Sequence, residues 1–212
     1  MTHASKPAKT GIALELYPRQ SQCWPAEGEH VLAHFDADSI VVYQAYREST
    51  GRHAIAHQQL GGPDFSFDRM SWVKPNFLWM MYRSGWGTKP GQEITLGLRI
   101  RRPFFDRLLR KAVESSFEAA LQSTQEDWKR AITDSDVLLQ WDPDHAPDGA
   151  RLARRAVQLG LRGNALKALA TTELIEVIDM SPLVEAQRAY ALAGAPWREL
   201  RTPIEHVYPR SP

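Results

Sequence analysis

Two kinds of hydrophobic spacing alternate along the chain. Residues 39–46, SIVVYQAY, are an unbroken β-branched and aromatic run, the pattern of a buried strand. The following stretch, ESTGRHAIAHQQL over 48–60, predicts a helix stopped by Gly61, Gly62 and Pro63. EITLGLRI, 93–100, alternates and predicts a second strand. From Pro103 onward Phe104, Leu108, Leu109, Ala112, Val113 and Phe117 recur at three- and four-residue spacing, a long amphipathic helix with proline in its first turn. A short helix over 126–132, a strand over 136–141, a turn-rich loop in WDPDHAPDG, a strand over 154–161 and helices over 165–178 and 182–193 follow. Strands and helices intermixed, with few regular βαβ units, predict an α+β fold. The expected architecture is one domain over 29–194, a mixed or antiparallel sheet with flanking helices. Residues 1–28 and 195–212 show no period and predict an irregular N-terminal arm and a proline-rich tail.

Composition narrows the function classes. With 26 basic against 25 acidic residues the net charge is +1, so a generally basic nucleic-acid-binding surface is not expected, although a local basic groove is compatible with it. Cys23 is the lone cysteine, which leaves neither an intramolecular disulfide nor a cysteine metal cluster. The densest apolar run, Phe77 to Tyr82, is far short of the ~20 residues that span a bilayer. The polar opening MTHASKPAKTG has no apolar signal run, so a cytoplasmic protein without membrane contact is expected.

The segment RMSWVKPNFLWMMYRSGW, 69–86, is the most unusual stretch. Arg69, Lys74 and Arg83 stand among Trp72, Trp79, Tyr82 and Trp86, and a helix is expected from Asn76 with Pro75 at its first position. On it Trp79 and Arg83 share one face, and Phe77 and Met81 another. Such residues build a buried helix with charged edges. They also suit the wall of a pocket for a planar anion, because arginine stacks on indole and forks onto phosphate, and Gly85 and Gly87 permit close backbone approach.

Other constellations are weaker. His53 and His57 lie four apart on the predicted helix, metal-ligand spacing but without the glutamate of H-E-x-x-H, so no metal is expected. HFDAD (34–38) and WDPDH (141–145) mix carboxylates with histidine and read either as turn formers or as acid–base and cation-binding groups. No Walker A loop, G-x-G-x-x-G or G-x-S-x-G occurs. The pairs Arg101-Arg102, Arg110-Lys111 and Arg154-Arg155 read as solvated faces or as the flanks of a groove.

IVVYQAY, RMSWVKPNFLWMMYRSGW, KPGQEITLGLRI, LLQWDPD and AVQLGL occur in the order and spacing of a bacterial and fungal family described as a domain of unknown function. The chain resembles that family over about residues 29–185. Its pattern reads close to VYQAY, RMTWIKPSFLWMMYRSGW, QE, VQWDPER and IQIGL. The chain departs at Leu32, where the family usually carries arginine in I-R-A-x-Y-D. It departs again at Arg154, Arg155 and Ala156, in place of tyrosine-arginine-serine, and at Asn76 in place of serine. VVYQAY with its short helix also resembles the opening strand and helix of ADP-ribosyltransferase-like folds. That resemblance implies NAD as cofactor, with Tyr43 and Gln44 at the aromatic-histidine positions, Tyr82 as the stacking aromatic and Glu93, or else Gln158, as the polar group on a later strand.

The expected function is an enzyme acting on a nucleotide or nucleic acid, most concretely an NAD-using ADP-ribosyltransferase-like transferase. Tyr43, Gln44 and Glu93 are its candidate catalytic residues. Arg69, Trp72, Lys74, Trp79, Tyr82, Arg83, Trp86, Asp142 and Gln158 are candidates for ligand binding. Two alternatives stay open: a noncatalytic binder of single-stranded nucleic acid, and a small-molecule enzyme using Asp142, His145 or Glu93 as acid and base.

Overall fold

A computed structural model describes residues 11–120 and 124–209. Residues 1–10 of the expected arm and 210–212 of the expected tail lie outside the described residues. The chain runs β1 (Leu14–Leu16), α1 (Tyr17–Ser21), β2 (Gly28–Glu29), β3 (Leu32–Phe35), β4 (Ser39–Tyr46), α2 (Glu48–His57), β5 (Ser71–Val73) and α3 (Phe77–Ser84). It continues through β6 (Ile94–Arg101), α4 (Arg102–Lys111), β7 (Val113–Glu114), α5 (Gln125–Asp134), β8 (Val137–His145) and β9 (Arg151–Leu161). Then come α6 (Gly163–Ala170), β10 (Leu174–Asp179), α7 (Ser181–Leu192), β11 (Arg201–Pro203) and β12 (His206–Val207). The fold is the expected α+β, with helices flanking one antiparallel and one mixed sheet, plus a two-stranded ribbon.

The antiparallel sheet has the order β10-β6-β4-β3-β12. Its β4 is covered on both faces, so its sequence is a continuous apolar run rather than an alternation. Ile40 and Val42 enter a core with Leu96, Leu98 and Ile100 of β6, Leu159 and Leu161 of β9, and Phe104 and Phe105 of α4. Val41 and Tyr43 point the other way, into a second cluster with Phe77, Met80 and Met81 of α3 and Leu183 and Val184 of α7. Leu32, at the position where arginine is usual, is buried in this second cluster.

The mixed sheet has the order β2-β9-β8-β7, with β5 added against β9. It meets the antiparallel sheet at one bridge. Tyr43 donates to the Lys74 carbonyl at 2.7 Å and Lys74 donates back at 3.0 Å.

Several local expectations change. The helix predicted over 165–178 stops at Ala170, and Leu174–Asp179 is a strand paired with β6. Its β-branched LIEVID found an open sheet edge, and pairing there outweighed the helical reading. The helix from Pro103 ends at Lys111, and Val113 and Glu114 join the mixed sheet beside β8. The loop expected in WDPDHAPDG begins late: β8 runs through His145, with an irregularity between Pro143 and His145 that accommodates a residue lacking an N–H. The terminal segments, expected to be irregular, are paired together. β1 lies antiparallel to β11, Tyr17 donates to the Leu200 carbonyl at 2.9 Å, and Gln20 donates to the Thr202 hydroxyl at 3.0 Å.

This terminal ribbon holds α3 in place. Asn76 caps the helix by accepting from the Trp79 N–H at 2.6 Å, so Pro75 precedes the cap instead of opening the helix. Glu205, just past β11, accepts from the Phe77 N–H at 2.7 Å and from Asn76 Nδ2 at 3.3 Å. At the other end Gly85 takes the left-handed conformation (φ 58°) and Trp86 donates to the Met81 carbonyl at 2.8 Å.

Burial drives the Glu205 carboxyl pKa well above its ordinary value, against the opposing pull of the Phe77 N–H. A raised folded-state value means that folding is favoured by its protonated form, and that contribution is lost as pH rises from the unfolded value toward the folded one. Glu205→Gln, which cannot titrate, is therefore expected to gain stability relative to the parent by about 1 kcal/mol or more between pH 5 and pH 8. Urea unfolding at both pH values checks this; a difference independent of pH would contradict it.

Candidate nucleotide-binding cleft

Alternation along paired strands builds the site. Trp72 of β5 lies opposite Gly160 of β9, and Gln140 of β8 lies opposite Gln158 of β9. Asp142 is two residues beyond Gln140 and Lys74 two beyond Trp72, so strand periodicity puts all of them on one face of the mixed sheet. α3 packs beside β8 and brings Trp79 and Arg83, four residues apart, to the same place. The result is a cleft of about 350 Å³ lined by Trp72, Lys74, Trp79, Arg83, Gln140, Asp142 and Gln158. Gly160 is required beneath Trp72: a Cβ there would lie 2.9 Å from the indole ring and 2.6 Å from the Met70 sulfur.

Charge in this cleft is unbalanced, with two cations and one carboxylate. Lys74 is only 5% exposed, and among the described residues its ammonium makes one hydrogen bond, a donation to the Trp72 carbonyl at 3.3 Å. Neither Lys74 nor Arg83 makes an ion pair among the described residues. Burial lowers the Lys74 pKa to about 8, helped by Arg83 and opposed by Asp142. Asp142 is already clamped: Gln140 Nε2 donates to Oδ1 at 2.9 Å and Gln158 Nε2 to Oδ2 at 2.7 Å. Uncharged donors thus fix the carboxylate's orientation without cancelling its charge.

Beside the cleft three near-parallel rings cluster, with Tyr82 stacked on His145 and Trp79 about equally far from both. Tyr82 lies 3.5 Å from His145 and Trp79 lies 5.3 Å from it, centroid to centroid, with planes within 11°. Tyr82 is the exposed member, at 41%. The pKa of His145 is lowered chiefly by burial, and among the described residues its buried Nδ1 has no hydrogen-bond partner, nor has Trp79 Nε1. Next to them Arg154 and Asp144 form a buried ion pair, with Nη2 and Nε at 2.6 and 2.8 Å from one carboxylate oxygen.

Of the residues nominated from sequence, Trp72, Lys74, Trp79, Arg83, Asp142 and Gln158 converge here. Tyr82 is on the adjoining stack. The others are elsewhere. Tyr43 is wholly buried against Phe77, its hydroxyl without a hydrogen-bond partner among the described residues. Gln44, next to it on a strand, necessarily faces the opposite side and with Arg69 lines a separate cleft. Glu93 is exposed and accepts from the Gly91 N–H at 2.7 Å. Trp86 is buried, its indole donating to the Pro147 carbonyl at 2.9 Å. Gln140 was missed, although its position two before Asp142 on a predicted strand was the available signal. His53 and His57 stack on each other 4.0 Å apart, and among the described residues no group of three or more His, Cys, Asp or Glu is placed to hold a metal ion. Among the same residues no helix is long and apolar enough to cross a membrane.

The chain belongs to the family described as Domain of unknown function (DUF4291), whose model matches residues 30–208. No curated protein matches it.

A buried ammonium without a carboxylate costs stability. Lys74→Met keeps the stem's volume and removes the charge, so it is expected to raise the unfolding free energy at pH 7 by about 1–3 kcal/mol. The gain shrinks above pH 8, where the folded parent sheds this proton before the unfolded chain does and so becomes more stable. Denaturant unfolding at pH 7 and 9.5 measures both effects. A loss of stability at pH 7 would show that Lys74 has a compensating partner.

Proposed function

We propose that the protein is an enzyme acting on a nucleotide, with the cleft over β5, β8 and β9 as its active site. The observation that carries this reading is the buried, unpaired Lys74 at a cleft that also holds Arg83 and two indoles. An anionic phosphate would supply the counter-charge this pair lacks, on a point charge from lysine and a planar fork from arginine. Trp72, supported from below by Gly160, offers an aromatic surface to a base. The volume matches that of small-molecule sites, which start near 300 Å³. Asp142, held by two glutamine amides, is the carboxylate available to accept a proton from a hydroxyl or to face positive charge developing on a ribose.

NAD is one ligand that combines these features. In an ADP-ribosyl transfer within this cleft the carboxylate opposite the sugar would be Asp142, since Glu93 lies outside it. Binding of single-stranded nucleic acid by stacking is less well supported, because of the nominated aromatic residues Trp79 and Trp86 are buried, Trp72 is half-buried and Tyr82 alone is exposed.

A thermal-shift screen against NAD, ATP, GTP and nucleoside monophosphates tests the reading. A ligand at ten times its Kd is expected to raise Tm by about 3–6 °C. Arg83→Ala and Lys74→Met, each folded, are expected to abolish the shift. A flat screen on folded parent protein would overturn the nucleotide reading and leave a small-molecule enzyme using Asp142 and His145.

A further inference from the structure

A second cleft, of about 220 Å³, lies where β4 turns into α2 and the 64–71 segment passes over it. We propose that it is a separate anion site that takes a phosphate group. Arg47 and Arg69 both line it, and neither side chain makes a hydrogen bond or ion pair among the described residues. α2, ten residues long, begins beside it at Glu48 with no side chain capping its first turn, so the positive end of the helix adds to the arginines.

Independent of those charges, Thr50 lines the cleft, is only 4% exposed, and has a hydroxyl that makes no hydrogen bond among the described residues. Its hydroxyl opens onto the cleft, where it can donate to a ligand oxygen. The floor is fixed: Gln44 Nε2 donates to Ser71 Oγ at 2.7 Å, and the Tyr46 hydroxyl lies 3.4 Å from the same oxygen. Two nearby carboxylates bear on the balance. Glu48 is directed along the helix to Arg52 at 3.8 Å, while Asp64 lines the cleft and opposes an anion. Gln44 Oε1, buried and without a partner among the described residues, is an acceptor and opposes an anion as well; two arginines, a helix N-terminus and a hydroxyl donor outweigh the two. The size suits a single tetrahedral phosphate, free or esterified, rather than a whole nucleotide.

The test uses the full chain carrying Lys74→Met and Arg83→Ala, so that the cations of the first cleft cannot contribute. Inorganic phosphate and glycerol phosphate are titrated separately by calorimetry, with ³¹P line broadening as a second readout. One saturable site is expected, and the preferred titrant distinguishes free ion from ester. Arg69→Ala and Thr50→Val, added singly, should each weaken binding about ten-fold or more, and Asp64→Asn should tighten it. Circular dichroism confirms that each variant is folded. Absence of saturable binding at millimolar phosphate, or binding indifferent to both Arg69→Ala and Thr50→Val, overturns the proposal. Because the first cleft is disabled throughout, either result is independent of the nucleotide reading.

Discussion

Two backbone hydrogen bonds between Tyr43 and Lys74, at 2.7 and 3.0 Å, tie the central strand of one sheet to the short edge strand of the other. Everything at the proposed active site depends on that exchange. It fixes Lys74 at the seam between the sheets, where its stem is enclosed and its ammonium emerges at the base of a cleft. The neighbouring Pro75 restricts the backbone of Lys74 to extended conformations, which is what the exchange requires. One residue later Asn76 starts α3, and the same helix carries Arg83 back over the sheet. A span of ten residues therefore supplies both cations and one wall.

The chain termini complete this arrangement. The ribbon of β1 and β11 places Glu205 at the start of α3, and its carboxyl oxygens accept from donors that a buried helix N-terminus would otherwise leave unsatisfied. Trp24 reinforces the contact by donating its indole N–H to the Glu205 carbonyl at 2.9 Å, while Arg154 lies over the Trp24 ring and donates to the Pro25 carbonyl at 2.6 Å. Segments remote in sequence thus hold the helix whose outer face lines the cleft. The protein keeps a cation without an ion pair among the described residues at this cleft and a buried acid behind it, a stability cost located where the proposed function needs charge.

Much of the site could be read from sequence because strands and helices have fixed periods. SIVVYQAY and EITLGLRI formed the expected strands, and the aromatic segment formed the expected helix, since apolar density and caps are local properties. Asp142 and Gln158 were nominated from different motifs, and strand register set them diagonally across β8 and β9, within hydrogen-bond reach. What failed was non-local. The β10 segment has helical and strand readings of similar strength, and only the open edge of β6 decides between them. The terminal segments have no period because they pair with each other. Tyr43 and Gln44 could not share a pocket once their strand was buried on both faces, and no local pattern reveals that second layer.

The most direct test of the central claim is an NMR titration of the Lys74 side chain, followed through its ε-carbon in selectively labelled protein, with and without a bound nucleotide. The structure predicts a midpoint near pH 8 in the free protein, set mainly by burial. It predicts an upward displacement when an anion binds, because a nearby negative charge favours the ammonium. A midpoint at the ordinary lysine value, unmoved by any nucleotide, would contradict both the burial of this amine and its role in gripping phosphate.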